Sequence, residues 1–294
     1  MKIAPVLILS LLCTLTARAD FSYVQTRKSA TGMAASAMNA SNPTTRHYFK
    51  GQKMKVDAGS TSHIVDFEAQ TLTNINNDQK SYTVTKFSDL GQMMKDTGAD
   101  VKVDIKETGE RRNINGFNAS QVMMTMSVES AQGAPGMKMQ IEVELWISPD
   151  VPGAQEARAF FQKNGDKFPW ASLAGGGGNA GMQKAMVELQ RKIAGLNGVT
   201  VMQVMRMKMG GAGGDAQAAQ MQQGMAQAMA RLEEMKKQGG PQAAAAEQAL
   251  ARMGAARGGA GGGSLLEMTM ESSGFSTAAV PDSVFAIPAG YQKK

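Results

Sequence analysis

Cysteine, histidine and aromatic residues are scarce in this sequence of 294 residues. There is one cysteine, Cys13, there are two histidines, His47 and His63, and aromatic residues make up only 5% of the chain. Because Cys13 falls in a leader that we expect to be removed, the mature chain has no thiol and no disulfide. A thiol nucleophile, a disulfide framework and a zinc–thiolate cluster are therefore excluded, and an apolar core must stabilise the protein.

Long hydrophobic runs are absent after the first residues of the chain. The apolar run at 3–15 follows Lys2 and precedes Ala17-Arg18-Ala19, the small-x-small pattern of a signal cleavage site. The run is shorter than the roughly 20 residues that span a bilayer. We predict a signal peptide at 1–19 and a periplasmic or secreted protein without a transmembrane segment. A bulky Leu12 disfavours lipidation of Cys13.

Signatures of catalysis and of nucleic-acid binding are also missing. The net charge of +6 is spread over mixed signs, and few aromatic residues are available to stack on bases. There is no Gly-x-Ser-x-Gly motif, and the glycine tract at 175–178 lacks the Lys-Ser/Thr ending of a phosphate loop. A turn at 58–60 is predicted to place His63 opposite about Met54, away from His47. We predict a non-enzymatic protein with no cofactor, no metal site and no nucleic-acid partner.

Short alternating segments dominate residues 20–149. Val101 to Ile105 alternates apolar and polar residues, and Gly, Asn and Asp punctuate the segments. This pattern is typical of antiparallel strands joined by hairpins. Two more strands are predicted at 199–209 and 265–272.

Helical patterns interrupt the strands in three places. Helices are predicted near 154–163 and at 179–195, where Met182, Met186, Leu189 and Ile193 form one stripe. Residues 210–263 are rich in Ala, Gln, Gly and Met, and form either an inserted helical hairpin or a disordered loop. The predicted β domain therefore covers 20–209 and 264–294, with 210–263 as an insertion.

Several strand segments resemble a family of exported bacterial proteins catalogued as domain of unknown function 4412. They are YFKGQKMKVD at 48–57, IVD at 64–66, YTV at 82–84 and VFAIPAGY at 284–291. The resemblance covers about 20–209 and 264–294. It implies a fold similar to periplasmic lipoprotein carriers: α+β, with a strongly curved antiparallel sheet, or half-barrel, covered by helices. The carrier activity is not implied, because the acyl-binding residues have no matched positions here.

Methionine is the most over-represented residue, with 24 in the chain. On one predicted strand, Met205, Met207 and Met209 are spaced two residues apart. Met268 and Met270 have the same spacing on another predicted strand. Each set therefore projects to one face. One interpretation is thioether ligation of Cu(I) outside the cytoplasm. The other is an adaptable apolar core or cavity lining, which methionine suits because it is unbranched and polarizable.

These observations favour an envelope protein that binds a hydrophobic or lipidic ligand, or a lipidated protein, on a concave β-surface. A ligand cavity and a filled core are both compatible with the pattern. The candidate cavity residues are Met124, Met126, Met137, Met139, Ile141, Val143, Trp146, Phe160, Phe161, Met182, Met186 and Leu189.

Two alternatives remain at this stage. In the first, the core is filled and the 210–263 hairpin docks an envelope protein partner or a membrane. The docking candidates on its apolar stripes are Met221, Met225, Met229, Leu232, Leu250 and Met253. In the second, the methionines bind Cu(I).

Overall fold

A computed structural model gives the fold of the chain. The structure describes residues 20–32, 42–93, 100–129, 138–165, 195–210 and 264–294, with isolated positions 35, 39, 167, 227, 231, 233 and 234. Within these residues the protein is mostly β, with two short α-helices, and the predicted antiparallel sheet is confirmed.

The described residues form twelve strands in one sheet. The strands, numbered β1 to β12 along the chain, are Phe21–Thr31, Thr44–Lys50, Lys53–Asp57, Thr61–Asp66, Thr71–Asn76, Ser81–Lys86, Asp100–Ile114, Phe117–Glu129, Lys138–Ser148, Val199–Gly210, Ser264–Ser276 and Gln292–Lys293. The helices are α1, Phe87–Met93, and α2, Ala154–Asn164, which corresponds to the helix expected near 154–163. A 3₁₀ turn covers Asp282–Phe285.

The strand order is β12-β6-β5-β4-β3-β2-β1-β11-β10-β9-β8-β7. Each neighbouring pair is antiparallel except β12 and β6, which are parallel. Two runs of hairpins, β1 to β6 and β7 to β10, are joined because β11 pairs with both β10 and β1. The first strand of the chain therefore lies inside the sheet, and not at an edge.

The predicted strong curvature is wrong. The sheet is not strongly curled, and its edge strands β7 and β12 do not pair with each other. Alternation of residue types indicates which side chains share a face, but coiling depends on twist and on β-bulges, which the alternation does not encode. The predicted helical hairpin is not seen. Most of 210–263, and of the predicted helix at 179–195, lies outside the described residues.

A row of apolar side chains crosses five strands on one face of the sheet. The register places Phe21 opposite Phe49, Phe49 opposite Met54, Met54 opposite Val65, and Val65 opposite Leu72. All five are buried and belong to one core cluster. Because directly opposed residues project to the same side, this row makes a continuous surface on which a helix can pack.

Helix α2 packs on that surface. Its Phe160 ring contacts Phe49 edge-to-face at 5.0 Å between centroids, and Phe67 at 5.6 Å. At its N-terminus, Gly153 has φ 83° and lies so close to the Phe21 ring that a β-carbon would overlap it. Glycine is therefore required for the chain to turn from β9 into α2 at this distance from the sheet.

The opposite face carries charged side chains on β9, β10 and β11. Arg206 bridges Glu144 at 3.3 Å and Glu267 at 3.1 Å, and Lys208 pairs with Glu142 at 2.8 Å. Burial raises the pKa of Glu144, but hydrogen bonds from Gln121, Trp146 and Arg206, with the charge of Arg206, outweigh it and lower the pKa. This network marks the polar side of the sheet.

Candidate functional site

A pocket of about 190 Å³ lies between α2 and the neighbouring strands of the sheet. We call it the α2 pocket. Strands β1, β9, β10 and β11 contribute to it, as do α2 and the residues just before β10. Its described lining residues are Phe21, Tyr23, Gln25, Leu145, Ile147, Ala157, Arg158, Phe161, Leu196, Gly198, Val199, Thr200, Gln203 and Ser272.

One part of the pocket wall is aromatic and aliphatic. Phe21 is fully buried and contacts Tyr23 with 5.6 Å between ring centroids. Leu145 and Ile147 of β9 reach the pocket from the methionine-bearing part of the sheet. These side chains are held by the core, so the apolar wall is preformed.

Tyr23 combines an apolar ring with a hydroxyl at the pocket. Its ring stacks on His47 with 4.4 Å between centroids and an interplanar angle of 2°. Burial raises the pKa of Tyr23 above its ordinary value, so the hydroxyl stays protonated and able to donate a hydrogen bond. Burial also lowers the pKa of His47 to about 4, so the imidazole is neutral at pH 7.

Arg158 brings the positive charge to the pocket. It lies on α2 next to Ala157 and three residues before Phe161, both of which line the pocket. Its Nε atom is buried and has no hydrogen-bond partner. No carboxylate occurs among the described lining residues. The guanidinium therefore borders a cavity whose described lining offers it no anionic partner.

Gly198 permits the sharp entry into β10 beside the pocket. Its φ is +133°, and a β-carbon there would overlap the backbone carbonyl of Ser148. Val199 pairs with Ser148 in the β9–β10 ladder, so the turn and the register are linked. The glycine lets the backbone approach β9 closely enough for Val199 and Thr200 to line the pocket.

The structure places four of the predicted cavity residues in a packed core. Met124 is opposite Val143 and Met126 is opposite Ile141 on β8 and β9. Met124 and Met126 are each only 4% exposed. In the described residues they are core side chains and not part of the α2 pocket lining, although Leu145 of the same cluster reaches the pocket.

The described aromatic candidates lie in three different places. Trp146 is fully buried in a different cluster, where its Nε1 donates to Glu144 at 2.8 Å and Arg112 lies 4.4 Å from its ring. Phe160 packs on the row of apolar side chains that crosses β1 to β5, and Phe161 lines the α2 pocket. Of the predicted set, only Phe161 lines the pocket among the described residues.

One further candidate, Met139, lies in the sheet, and ten candidates lie outside the described residues. Met139 pairs with Met209 and Val128 in the sheet register. The remaining candidates lie outside the described residues: Met137, Met182, Met186, Leu189, Met221, Met225, Met229, Leu232, Leu250 and Met253.

The predicted position of His63 is wrong by two residues. His63 is opposite Val56, and Val56 is opposite His47, so the two histidines flank one residue on the same face. Two strand spacings separate them by about 10 Å. His63 Nδ1 is 2.7 Å from Asn74 Oδ1. Within the described part of the chain, no three His, Cys, Asp or Glu side chains group as metal ligands would.

Six polar lining residues were not predicted from the sequence: Tyr23, Gln25, Arg158, Thr200, Gln203 and Ser272. Tyr23 and Gln25 share a face of β1 by alternation, but only the β1–β11 pairing shows that this face meets β10 across β11. The position of Arg158 beside the pocket could have been inferred from the helical pattern of the sequence. It borders the apolar side of the predicted helix, at i+1 from Ala157 and i−3 from Phe161.

A family model described as Domain of unknown function (DUF4412) matches residues 32–174. The resemblance is thereby confirmed for β2 to β9 and α2, while the closing segment 284–291 lies beyond the match. Similarity to lipoprotein carriers stays a prediction. A search of curated proteins found no match. Among the described residues, no helix has the length and apolar character that crossing a bilayer requires.

Proposed function

We propose that the protein binds a small apolar or amphiphilic ligand in the α2 pocket and performs no chemistry on it. The observation that carries this proposal is an open volume of about 190 Å³ at the junction of the sheet and α2. The leader-like segment 1–19 supports a role outside the cytoplasm.

The pocket size suits a short hydrocarbon chain or a single ring. Drug-sized ligands occupy pockets of about 300–1,000 Å³, whereas an apolar cavity of about 150 Å³ binds benzene. At about 190 Å³ the α2 pocket is between these cases. It can hold a short ligand, or one segment of a longer chain.

The lining also fits an amphiphile better than a wholly apolar molecule. Phe21, Leu145 and Phe161 supply apolar contacts, whereas Gln25 and Gln203 supply amide groups. A ligand with one polar end can satisfy both kinds of wall, because hydrophobic burial supplies affinity and a few polar groups fix orientation.

The test is calorimetric titration of the mature protein with 1-octanol and with sodium octanoate. Ala157→Leu places three more carbon atoms at a lining position of α2, and we expect it to weaken binding of both probes at least tenfold. Ala159→Leu adds the same atoms on the exposed face of the same helix and should leave binding unchanged. Absence of binding of both probes would refute the proposal, as would equal binding by the parent and Ala157→Leu.

A second candidate is an interaction protein with a filled core. The burial of Met124, Met126 and Met268 favours it, because these methionines serve packing at the described positions. In that case residues 210–263 would contact a partner. Deleting them would then abolish partner binding, and neither octanol nor octanoate would bind. Retention of Cu(I) against a strong chelator would instead support the copper alternative.

A further inference from the structure

Building on the proposed function, we propose that the α2 pocket selects an anionic amphiphile and that Arg158 binds its head group. The ligand class is an oxyanion, a carboxylate or a phosphate, at one end of a short apolar body. The structure assigns the apolar body to the wall formed by Phe21, Leu145 and Phe161.

The Arg158 guanidinium carries a donor that the described residues leave unsatisfied. Its Nε–H is buried without an acceptor, whereas buried donors in folded proteins almost always have one. Arg158 makes no ion pair with a described residue, and the described pocket lining contains no Asp or Glu. A guanidinium offers paired donors that match two oxygens of a carboxylate or phosphate. A ligand oxyanion would therefore satisfy both the charge and the buried N–H.

Neutral polar side chains also line the α2 pocket. Tyr23, Gln25, Thr200, Gln203 and Ser272 line it together with Arg158. Gln25 and Ser272 are directly opposite each other on β1 and β11. Tyrosine and serine hydroxyls and glutamine amides can each donate a hydrogen bond to an anion. The described lining thus combines one cation with several donors and no competing anion.

This lining is expected to bind cationic and neutral ligands less well than anionic ones. A cationic ligand would bring a second positive charge beside Arg158, which is unfavourable where water is limited. A neutral alcohol would leave the guanidinium without an anionic partner from the ligand or from the described lining residues. Among molecules with the same apolar body, the anion is therefore the expected best ligand.

The experiment compares probes that share an eight-carbon chain. Binding of octanoate, octyl phosphate and 1-octanol to the mature protein is measured by calorimetry at pH 7.5, with acetate as a head-only probe. A hydrogen bond to a charged group is expected to favour the anionic probes over octanol by about tenfold to a hundredfold. The ratio of octanoate to octyl phosphate affinity identifies which oxyanion the site prefers. Acetate should not bind measurably.

Two variants separate a head-group role from a general effect of charge. Arg158→Gln should abolish the preference for the anions, so that octanoate and octyl phosphate bind no more tightly than 1-octanol. Lys163→Gln removes the same charge from an exposed position in the last turn of α2 and should leave the preference intact. Arg158→Lys should keep part of the preference, because it retains the charge and loses the paired geometry.

The outcomes distinguish this inference from the proposed function. If octanol and octanoate bind equally, or if Arg158→Gln weakens both equally, the anion inference is refuted and ligand binding in the pocket stands. If none of the eight-carbon probes binds, both are refuted. If acetate binds as tightly as octanoate, the apolar body contributes nothing and the amphiphile assignment fails.

Discussion

His47 should make the protein lose stability as the pH falls below neutrality. Burial lowers the pKa of His47 from 6.5 to about 4 in the folded protein. Between these values the unfolded chain binds a proton that the folded protein does not, so the free energy of unfolding decreases as the pH is lowered through this window. The stabilisation is fully present above pH 6.5 and fully lost below about pH 4.

The expected size follows from the two pKa values. With the pKa near 6.5 in the unfolded chain and about 4 in the folded protein, lowering the pH from 7.5 to 5.0 should reduce the free energy of unfolding by about 2 kcal/mol. The structural cause is the position of the ring between Tyr23, on which it stacks, and Thr45, whose Oγ1 lies 3.3 Å from Nε2.

The assay is urea unfolding of the parent and of His47→Phe at pH 7.5 and pH 5.0. His47→Phe keeps a flat ring against Tyr23 and removes the titrating group. We expect the parent to lose about 2 kcal/mol more than the variant over this interval. Both proteins retain His63, so its contribution cancels in the comparison. Equal losses in the two proteins would show that His47 is protonated in the folded state, and the reasoning from burial would be wrong.

Other predictions concern the core, the charged face and the entry to β10. Phe49→Ala should lower the free energy of unfolding by about 3–5 kcal/mol in denaturant titrations, because Phe49 is 3% exposed and contacts α2; a loss below 1 kcal/mol would contradict this packing. Glu144→Gln should lower the free energy of unfolding by about 1–3 kcal/mol at pH 7. The difference in unfolding free energy between parent and variant should shrink as the pH falls below about 4.5, since the stabilisation from a lowered carboxyl pKa is lost there. Gly198→Ala should cost at least about 2 kcal/mol in thermal unfolding, whereas Gly195→Ala, with no atom within 4 Å of its β-carbon, should be neutral or stabilising.

The sequence predicted those parts of the fold that depend on local periodicity. The alternation at Val101 to Ile105 became part of β7, and the apolar side of the helix expected near 154–163 packs on the sheet as Ala157 and Phe160 of α2. Curvature and register were not predictable in this way. The turn expected at 58–60 does lie between β3 and β4, so the two-residue error at His63 is an error of register, with Asp57 opposite Ser62 and Val56 opposite His63.

The candidate site was harder to predict because its residues come from distant segments. Phe161 was expected from the helical stripe, but Tyr23, Gln203 and Ser272 meet only because β11 lies between β1 and β10. Strand order is a property of the whole chain, and no short pattern contains it. The abundance of methionine was compatible with a cavity lining and with a filled core, and the described Met124 and Met126 are buried in the core.

Because β1 lies inside the sheet, the sheet cannot be completed before β11 is available to pair with it. Asp20 accepts a hydrogen bond from the backbone of Val280, 260 residues further along the chain, and β1 pairs with β11. Contacts of such sequence separation form slowly, because a large loop must close before they contribute. Until then each half of the sheet would present an unpaired strand edge to solvent, and such edges promote aggregation. In this topology those edges are covered only when β11 pairs with both β1 and β10.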